Sequence, residues 1–266
     1  MNINELSKIQ NETERVNRTY DIFNEDTRLN HSKAARVEFL TTVHYIEKYL
    51  KEGDKILDIG AGAGEYSLYF ARKGYEVSAL ELADANIAAF KKKIARDDKI
   101  DLVQGNALDL SRYDDKSFDI VLLLGPLYHL KNDEDKLKCI SEAKRVCKDG
   151  GKIFFAFISN DFVFLTEFEY DVNYFSNGDY DKKTFKLNDF PFVFHTVDGA
   201  RGLLERGKVK IIHEVASDGA SELLAARINE MSDEDYAQYL RYHFYICEKP
   251  ELLGMTNHLL FVSDNT

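Results

Sequence analysis

The sequence has little of what would staple a chain, anchor it in a membrane or charge it positively. Its three cysteines, Cys139, Cys147 and Cys247, stand far apart with no Cys-x-x-Cys pair. An odd, scattered set excludes a disulfide framework and fits a reducing compartment. The seven histidines are also scattered, with no two at metal-helix spacing beside a carboxylate, so no metal site is expected. The longest apolar runs, residues 120–124 and 153–158, are strand-sized, far short of the roughly 20 residues of a membrane span. The first eight residues lack the apolar stretch of a secretion signal. A cytoplasmic location is the expectation. Positive charge is scarce too: 35 Lys and Arg against 46 Asp and Glu leave a net charge of −11, and the longest basic run is Lys91-Lys92-Lys93. Phosphate backbones are held chiefly by Lys and Arg, so a nucleic-acid partner is disfavoured, as is docking on an anionic membrane. What remains is 266 residues with 44% apolar content, ample for one large domain with insertions or a core plus a small cap.

The most informative stretch is Lys55-Ile56-Leu57-Asp58-Ile59-Gly60-Ala61-Gly62-Ala63-Gly64-Glu65-Tyr66. The apolar run Ile56, Leu57 and Ile59 suits a strand covered on both faces. Gly60, Gly62 and Gly64 allow a tight turn and close approach to a ligand. From Glu65 a helix begins that ends at Gly74. Backbone N–H groups at such a loop face something small and partly anionic. A dinucleotide loop would read Gly-x-Gly-x-x-Gly, but the third glycine position holds Glu65, whose carboxylate at the loop mouth would repel a pyrophosphate. No Gly-Lys-Ser/Thr follows, which excludes a P-loop.

Helical patterns near 32–51, 65–73, 83–96, 133–147 and 198–206 alternate with strand patterns at 55–59, 75–81, 100–104, 118–124, 151–158, 209–215 and 259–262. That alternation predicts a doubly wound α/β domain, with helices on both faces of a mainly parallel sheet. Asp149-Gly150-Gly151 is read as the turn into the fifth strand.

The pattern Asp58-x-Gly60-x-Gly62-x-Gly64 resembles the first motif of class I S-adenosylmethionine-dependent methyltransferases, and three later segments match in order. The resemblance is strong over about residues 54–159 and weak elsewhere. It implies a Rossmann-like seven-stranded sheet of order 3-2-1-4-5-7-6 with the last strand antiparallel, and S-adenosylmethionine as cofactor. Asp58, Gly60, Ala61, Gly62 and Gly64 would form the cofactor loop. Glu81, followed by Leu82, would grip the ribose hydroxyls, since a carboxylate offers the acceptor oxygens that a vicinal diol requires; the alternative is a solvated helix cap. Asn106 and Ala107 would clasp the adenine, with Asp109 as another acceptor or a cap for the turn at 110–113. Leu124 and Gly125 open a Gly-Pro-Leu-Tyr-His-Leu loop that resembles one in bacterial small-molecule methyltransferases, where it borders the sulfonium and the incoming acceptor. Tyr128 and His129 would then lie at the reaction centre, the alternative being packing under the next helix.

Residues 1–52 are expected to form a helical amino-terminal segment over the cofactor, and 53–266 the methyltransferase domain. Tyr20 or Arg28 could meet the methionine carboxylate, although Arg28 could equally pair with Glu25. Insertions at about 159–196, dense in aromatics, and 216–257 would lie on the substrate side, as a lid or as a satellite core. The reaction implied is in-line transfer of the methyl group to a small-molecule acceptor, where the protein mainly aligns the partners. A base, if needed, would be His129 first and His195 second, with a rate fall-off at low pH near an imidazole pKa of about 6.5. Two rivals stay open: a non-catalytic cofactor-binding or interaction protein on the same fold, and a nicotinamide oxidoreductase.

Overall fold

The computed structural model describes residues 3–23 and 25–266; Met1, Asn2 and Asn24 lie outside the described residues. Its strands are β1 (Lys55–Ile59), β2 (Glu76–Glu81), β3 (Ile100–Gln104), β4 (Phe118–Leu123), β5 (Cys147–Ser159), β6 (Phe194–His195), β7 (Lys210–Ala216) and β8 (His258–Asp264). They form one sheet of order β3-β2-β1-β4-β5-β8-β7, with β6 paired to β5 off that path. Pairing is parallel from β3 through β5, and β8 runs antiparallel to both β5 and β7. The seven long strands therefore have the expected order. The eighth, the two-residue β6, was not expected: it comes from the aromatic insertion and pairs with Ile158 and Ser159.

The central strands are apolar almost throughout because helices cover both faces. Leu57, Ile59, Val121, Leu122, Phe154, Phe155 and Phe261 are fully buried. The Asp149-Gly150-Gly151 segment is not a turn before β5. It lies inside the strand, where the register with β4 slips between Phe118 and Ile120 and Gly150 takes a positive φ.

The helices are α1 (Ile3–Leu6), α2 (Glu12–Tyr20), α3 (Arg36–Glu47), α4 (Glu65–Arg72), α5 (Asp84–Lys93), α6 (Asp133–Val146), α7 (Asn160–Tyr170), α8 (Tyr174–Asn177), α9 (Val197–Arg206), α10 (Ala225–Asn229) and α11 (Asp233–Ile246). Side-chain caps start several of them: Asn132, Ser159, Thr196 and Ser232 each accept a backbone N–H three residues on, which satisfies an otherwise orphaned donor. The 159–196 insertion forms α7 and α8 around a satellite core of Phe164, Tyr180 and Leu187. The same insertion also reaches the β4 loop, where Val193 N–H donates to Tyr128 C=O at 2.8 Å. Among the described residues, no helix is long and apolar enough to cross a membrane.

Candidate functional site

The glycine loop is built by positive φ and by close packing. Gly60, Gly62 and Gly64 have φ of +74°, +56° and +87°, a region open to glycine at no steric penalty. A Cβ on Gly60 would come within 2.8 Å of Pro126 Cδ, and one on Gly64 within 2.3 Å of the Phe90 ring. The loop after β1 thus touches the loop after β4, while α4 packs closely on α5. Gly60 and Ala61 N–H groups both donate to Leu80 C=O, at 2.7 and 3.0 Å, which pins the loop to β2.

Glu81 ends β2 and is 4% exposed. Its carboxylate accepts from Gly62 N–H at 2.7 Å, Ala83 N–H at 2.8 Å and the Asn86 amide at 3.3 Å. Burial raises its pKa, against the lowering effect of those bonds. A carboxylate has about four lone-pair positions, so acceptor capacity remains toward the cleft that Glu81 lines. That cleft lies at the carboxyl ends of β1, β2 and β4, the position for ligands in open α/β sheets. It gathers Tyr20, Gly60, Glu81, Leu82, Asn106, Ala107, Gly125 and His129 around a cavity of about 60 Å³. Small-molecule pockets are typically about 300–1,000 Å³; here the cleft is closed from above by α2. Glu12, Val16 and Tyr20 line it, Asn17 accepts from Asp84 N–H at 2.9 Å, and Arg15 reaches His129 C=O at 3.4 Å.

Other expected site residues stand elsewhere. Asp58 is buried beneath the loop and accepts from the Ser67 hydroxyl at 2.7 Å, tying β1 to α4. Burial pushes its carboxyl up to about 7. Ala61, Gly62, Gly64, Leu124 and Tyr128 shape the loops without lining the enclosed cavity. The Asn106 carbonyl accepts from Leu108 N–H at 2.9 Å, so it serves its own turn first. Asp109 accepts from Ser111 N–H at 3.0 Å, as a cap does. Arg28 is committed to carboxylates, Glu25 at 2.6 Å and Glu38 at 2.6 and 3.2 Å. His195 lies on β6 against Phe157; its Nδ1 is buried without a hydrogen-bond partner, and burial lowers its pKa to about 4. Glu65 is not a free charge at the loop mouth: Lys93 pairs with it at 2.7 Å and the Asn30 amide also bonds it.

His129 lines the cleft, but with the properties of a packed ring. Its Nε2 is 2.7 Å from the Tyr20 hydroxyl, and the Phe192 ring lies 5.3 Å away. Burial, then the Arg15 charge, lowers its pKa to about 3. The imidazole is neutral at pH 7 but a weak base, and no fall-off near 6.5 follows from it. Sequence reasoning passed over Glu12, Val16 and Pro126 in this cleft. Pro126 was within reach, since the residue after Gly125 must pack on Gly60; the placement of α2 had no local signal.

Fold and cleft together resemble those of a class I S-adenosylmethionine-dependent methyltransferase domain. Residues 57–155 match the methyltransferase domain family. The chain is 33% identical over 120 residues to demethylmenaquinone methyltransferase of Clavibacter sepedonicus, covering 45% of this chain and 47% of the relative. It is 34% identical over 110 residues to 27-O-demethylrifamycin SV methyltransferase of Amycolatopsis mediterranei, covering 39% and 38%. The chain thus spans less than half the length of these curated relatives. In structure it resembles geranyl diphosphate C-methyltransferase from Streptomyces coelicolor, with a TM-score of 0.59 and 13% identity over 96% of this chain and 98% of that one. At that identity the likeness is one of fold.

Proposed function

We propose that this protein transfers the methyl group of S-adenosylmethionine to a small-molecule acceptor. The observation that carries the reading is Glu81, held by the Gly62 and Ala83 N–H groups at the end of β2, with its carboxylate on the cleft. The donor set fits the cofactor. Glu81 supplies acceptors for the ribose diol, Asn106 and Ala107 border the adenine side, and Gly60 and Gly125 line the cleft on the methionine side. Once bound, the cofactor supplies a methyl already activated by its positive sulfur, so the chain's task is alignment and exclusion of water.

Residues 1–52 act as the lid in this reading. α2 spans the cleft through Asn17, Tyr20 and Arg15, and the cavity of about 60 Å³ requires it to move as cofactor enters. The aromatic insertion forms a wall, through Phe192 against His129. The relatives named for menaquinone and rifamycin substrates favour a small-molecule acceptor here. The net charge of −11 weighs against nucleic acid, and three buried free thiols suit a reducing cytoplasm.

Calorimetric titration tests the reading. S-adenosylhomocysteine should bind saturably and NAD should not; the reverse result ends it.

A further inference from the structure

The insertion between β7 and β8 carries a helix without a packed face. On α11, Tyr239, Tyr242, His243 and Ile246 stand at helical spacing and share one side. On a surface helix such a side is expected to be buried against the domain, yet of the 14 residues of α11 only His243 is buried. These four side chains line a cavity of about 210 Å³, whose other walls include Gly219 and Ala220. Among the described residues it shares no lining residue with the cofactor cleft.

The walls are fixed by main-chain bonds. α11 is tied at its carboxyl end to β7, where Ala216 N–H donates to Cys247 C=O at 2.8 Å. The turn after β7 is held from the far side, where Gly219 N–H donates to the Thr256 hydroxyl at 3.0 Å. Gly219 has φ of +53°, and a Cβ there would lie 3.1 Å from the His243 ring, so glycine is what lets the turn lie against that ring. The small side chains at 219 and 220 leave the space beside the contact unfilled. Protein interiors hold few voids of this size, and an apolar cavity of about 150 Å³ takes up benzene. This cavity, of about 210 Å³, accommodates one or two fused rings.

The chemistry of the walls selects further. Among the described residues, no Asp, Glu, Lys or Arg lines the cavity, so a charged ligand would lose its hydration without gaining a partner. His243 is 1% exposed, and its ring donates to the Ser217 backbone carbonyl. Nε2 is then the acceptor nitrogen, and it is buried with no hydrogen-bond partner among the described residues. A buried acceptor left unpaired is costly, and a ligand N–H or O–H would satisfy it. Leu224, Tyr242 and Met255 line the cavity and are also exposed, which marks its mouth.

We propose that this cavity is a binding site, separate from the cofactor cleft, for a small uncharged aromatic molecule that carries one N–H or O–H donor. The ring occupies the apolar space beside Tyr239 and Ile246, and the donor meets His243 Nε2. The inference does not depend on the methyltransferase reading.

Calorimetric titration of the full chain with indole, and with indene as its hydrocarbon counterpart lacking the N–H, tests the site. Indole should bind saturably with a Kd below about 1 mM. Indene should bind about two- to tenfold more weakly, as the loss of one hydrogen bond requires. Benzoate and benzylamine should show no saturable binding. Ala220→Leu, which fills the cavity, should abolish indole binding while thermal unfolding stays cooperative. Leu224→Lys, at the exposed mouth and outside the core, should weaken indole binding as well. His243→Phe keeps a ring in place and should bring indole and indene to equal affinity. No saturable indole binding, equal affinity of the wild-type protein for indole and indene, benzoate binding as tight as that of indole, or full indole affinity in both Ala220→Leu and Leu224→Lys would each overturn the proposal.

Discussion

The Tyr20 hydroxyl lies 2.7 Å from His129 Nε2, and that contact joins the amino-terminal helix α2 to the loop after β4 across the mouth of the cofactor cleft. Tyr20→Phe removes only the hydroxyl. A buried hydrogen bond contributes about 0.5–1.5 kcal/mol, so opening of α2 should become about two- to tenfold easier. Stopped-flow binding of S-adenosylhomocysteine, followed by tyrosine emission since the chain has no tryptophan, should show association faster by that factor. An unchanged association rate would mean that α2 does not gate entry.

His129 makes stability depend on pH. Its folded pKa of about 3 lies below the ordinary value of 6.5, so the unfolded chain takes up a proton that the native ring refuses. The contribution is fully present above 6.5 and is lost as pH falls toward 3. At pH 5.5 the loss amounts to about 1.4 kcal/mol. Urea unfolding at pH 7.5 and 5.5 should show this increment in wild type and lack it in His129→Gln. Equal pH sensitivity in the two proteins would place the ring in water.

Glu81→Ala should weaken S-adenosylhomocysteine binding about ten- to a hundredfold, as loss of charge-assisted bonds of about 1.5–3 kcal/mol requires. The strand end is not simply open toward ligand, because the Glu81 carboxylate is engaged by backbone N–H groups. Gly62 and Ala83 N–H groups would lose their acceptor, so the protein without cofactor should also lose about 1–3 kcal/mol. Glu81→Gln keeps an acceptor oxygen and should recover part of that stability but little of the affinity. Calorimetry paired with thermal unfolding separates the two effects; an Ala variant of wild-type stability would contradict the backbone contacts.

Gly64→Ala and Gly53→Ala form a matched pair. Both glycines have positive φ, +87° and +83°, but an added Cβ meets the Phe90 ring at 2.3 Å only at Gly64; at Gly53 nothing lies within 4 Å. The conformational penalty of about 1–2 kcal/mol applies to both, and overpacking adds about 1–3 kcal/mol at Gly64 alone. Denaturant midpoints should therefore fall further for Gly64→Ala. Equal losses would refute the close packing of α4 on α5.

Much of this architecture was legible along the chain because its causes are local. A buried parallel strand needs a continuous apolar run, as in 55–59 and 118–123. A tight turn into a helix needs glycine at positions of positive φ, and those positions are neighbours in sequence. Glu81 was legible for a similar reason: it is the polar residue at which an apolar strand ends. β6 was not, because two residues become a strand only when β5 is there to pair with them.

Residue type and spacing determined the alternating strands and helices and the glycine loop, since backbone geometry and burial follow from sequence neighbours; the strand order and the cofactor class came from the resemblance that those motifs carry. Which charge meets which was decided only by the tertiary structure. Arg28 turned to Glu38, Glu65 to Lys93, His129 to Tyr20 and His258 to Asp218, partners that stand 10 to 109 positions apart. Burial and the nearest charges act through space, and they set the ionisation of His129 and His258 in opposite directions. A histidine in the motif loop became a weak base, and one at the start of the last strand became a strong one.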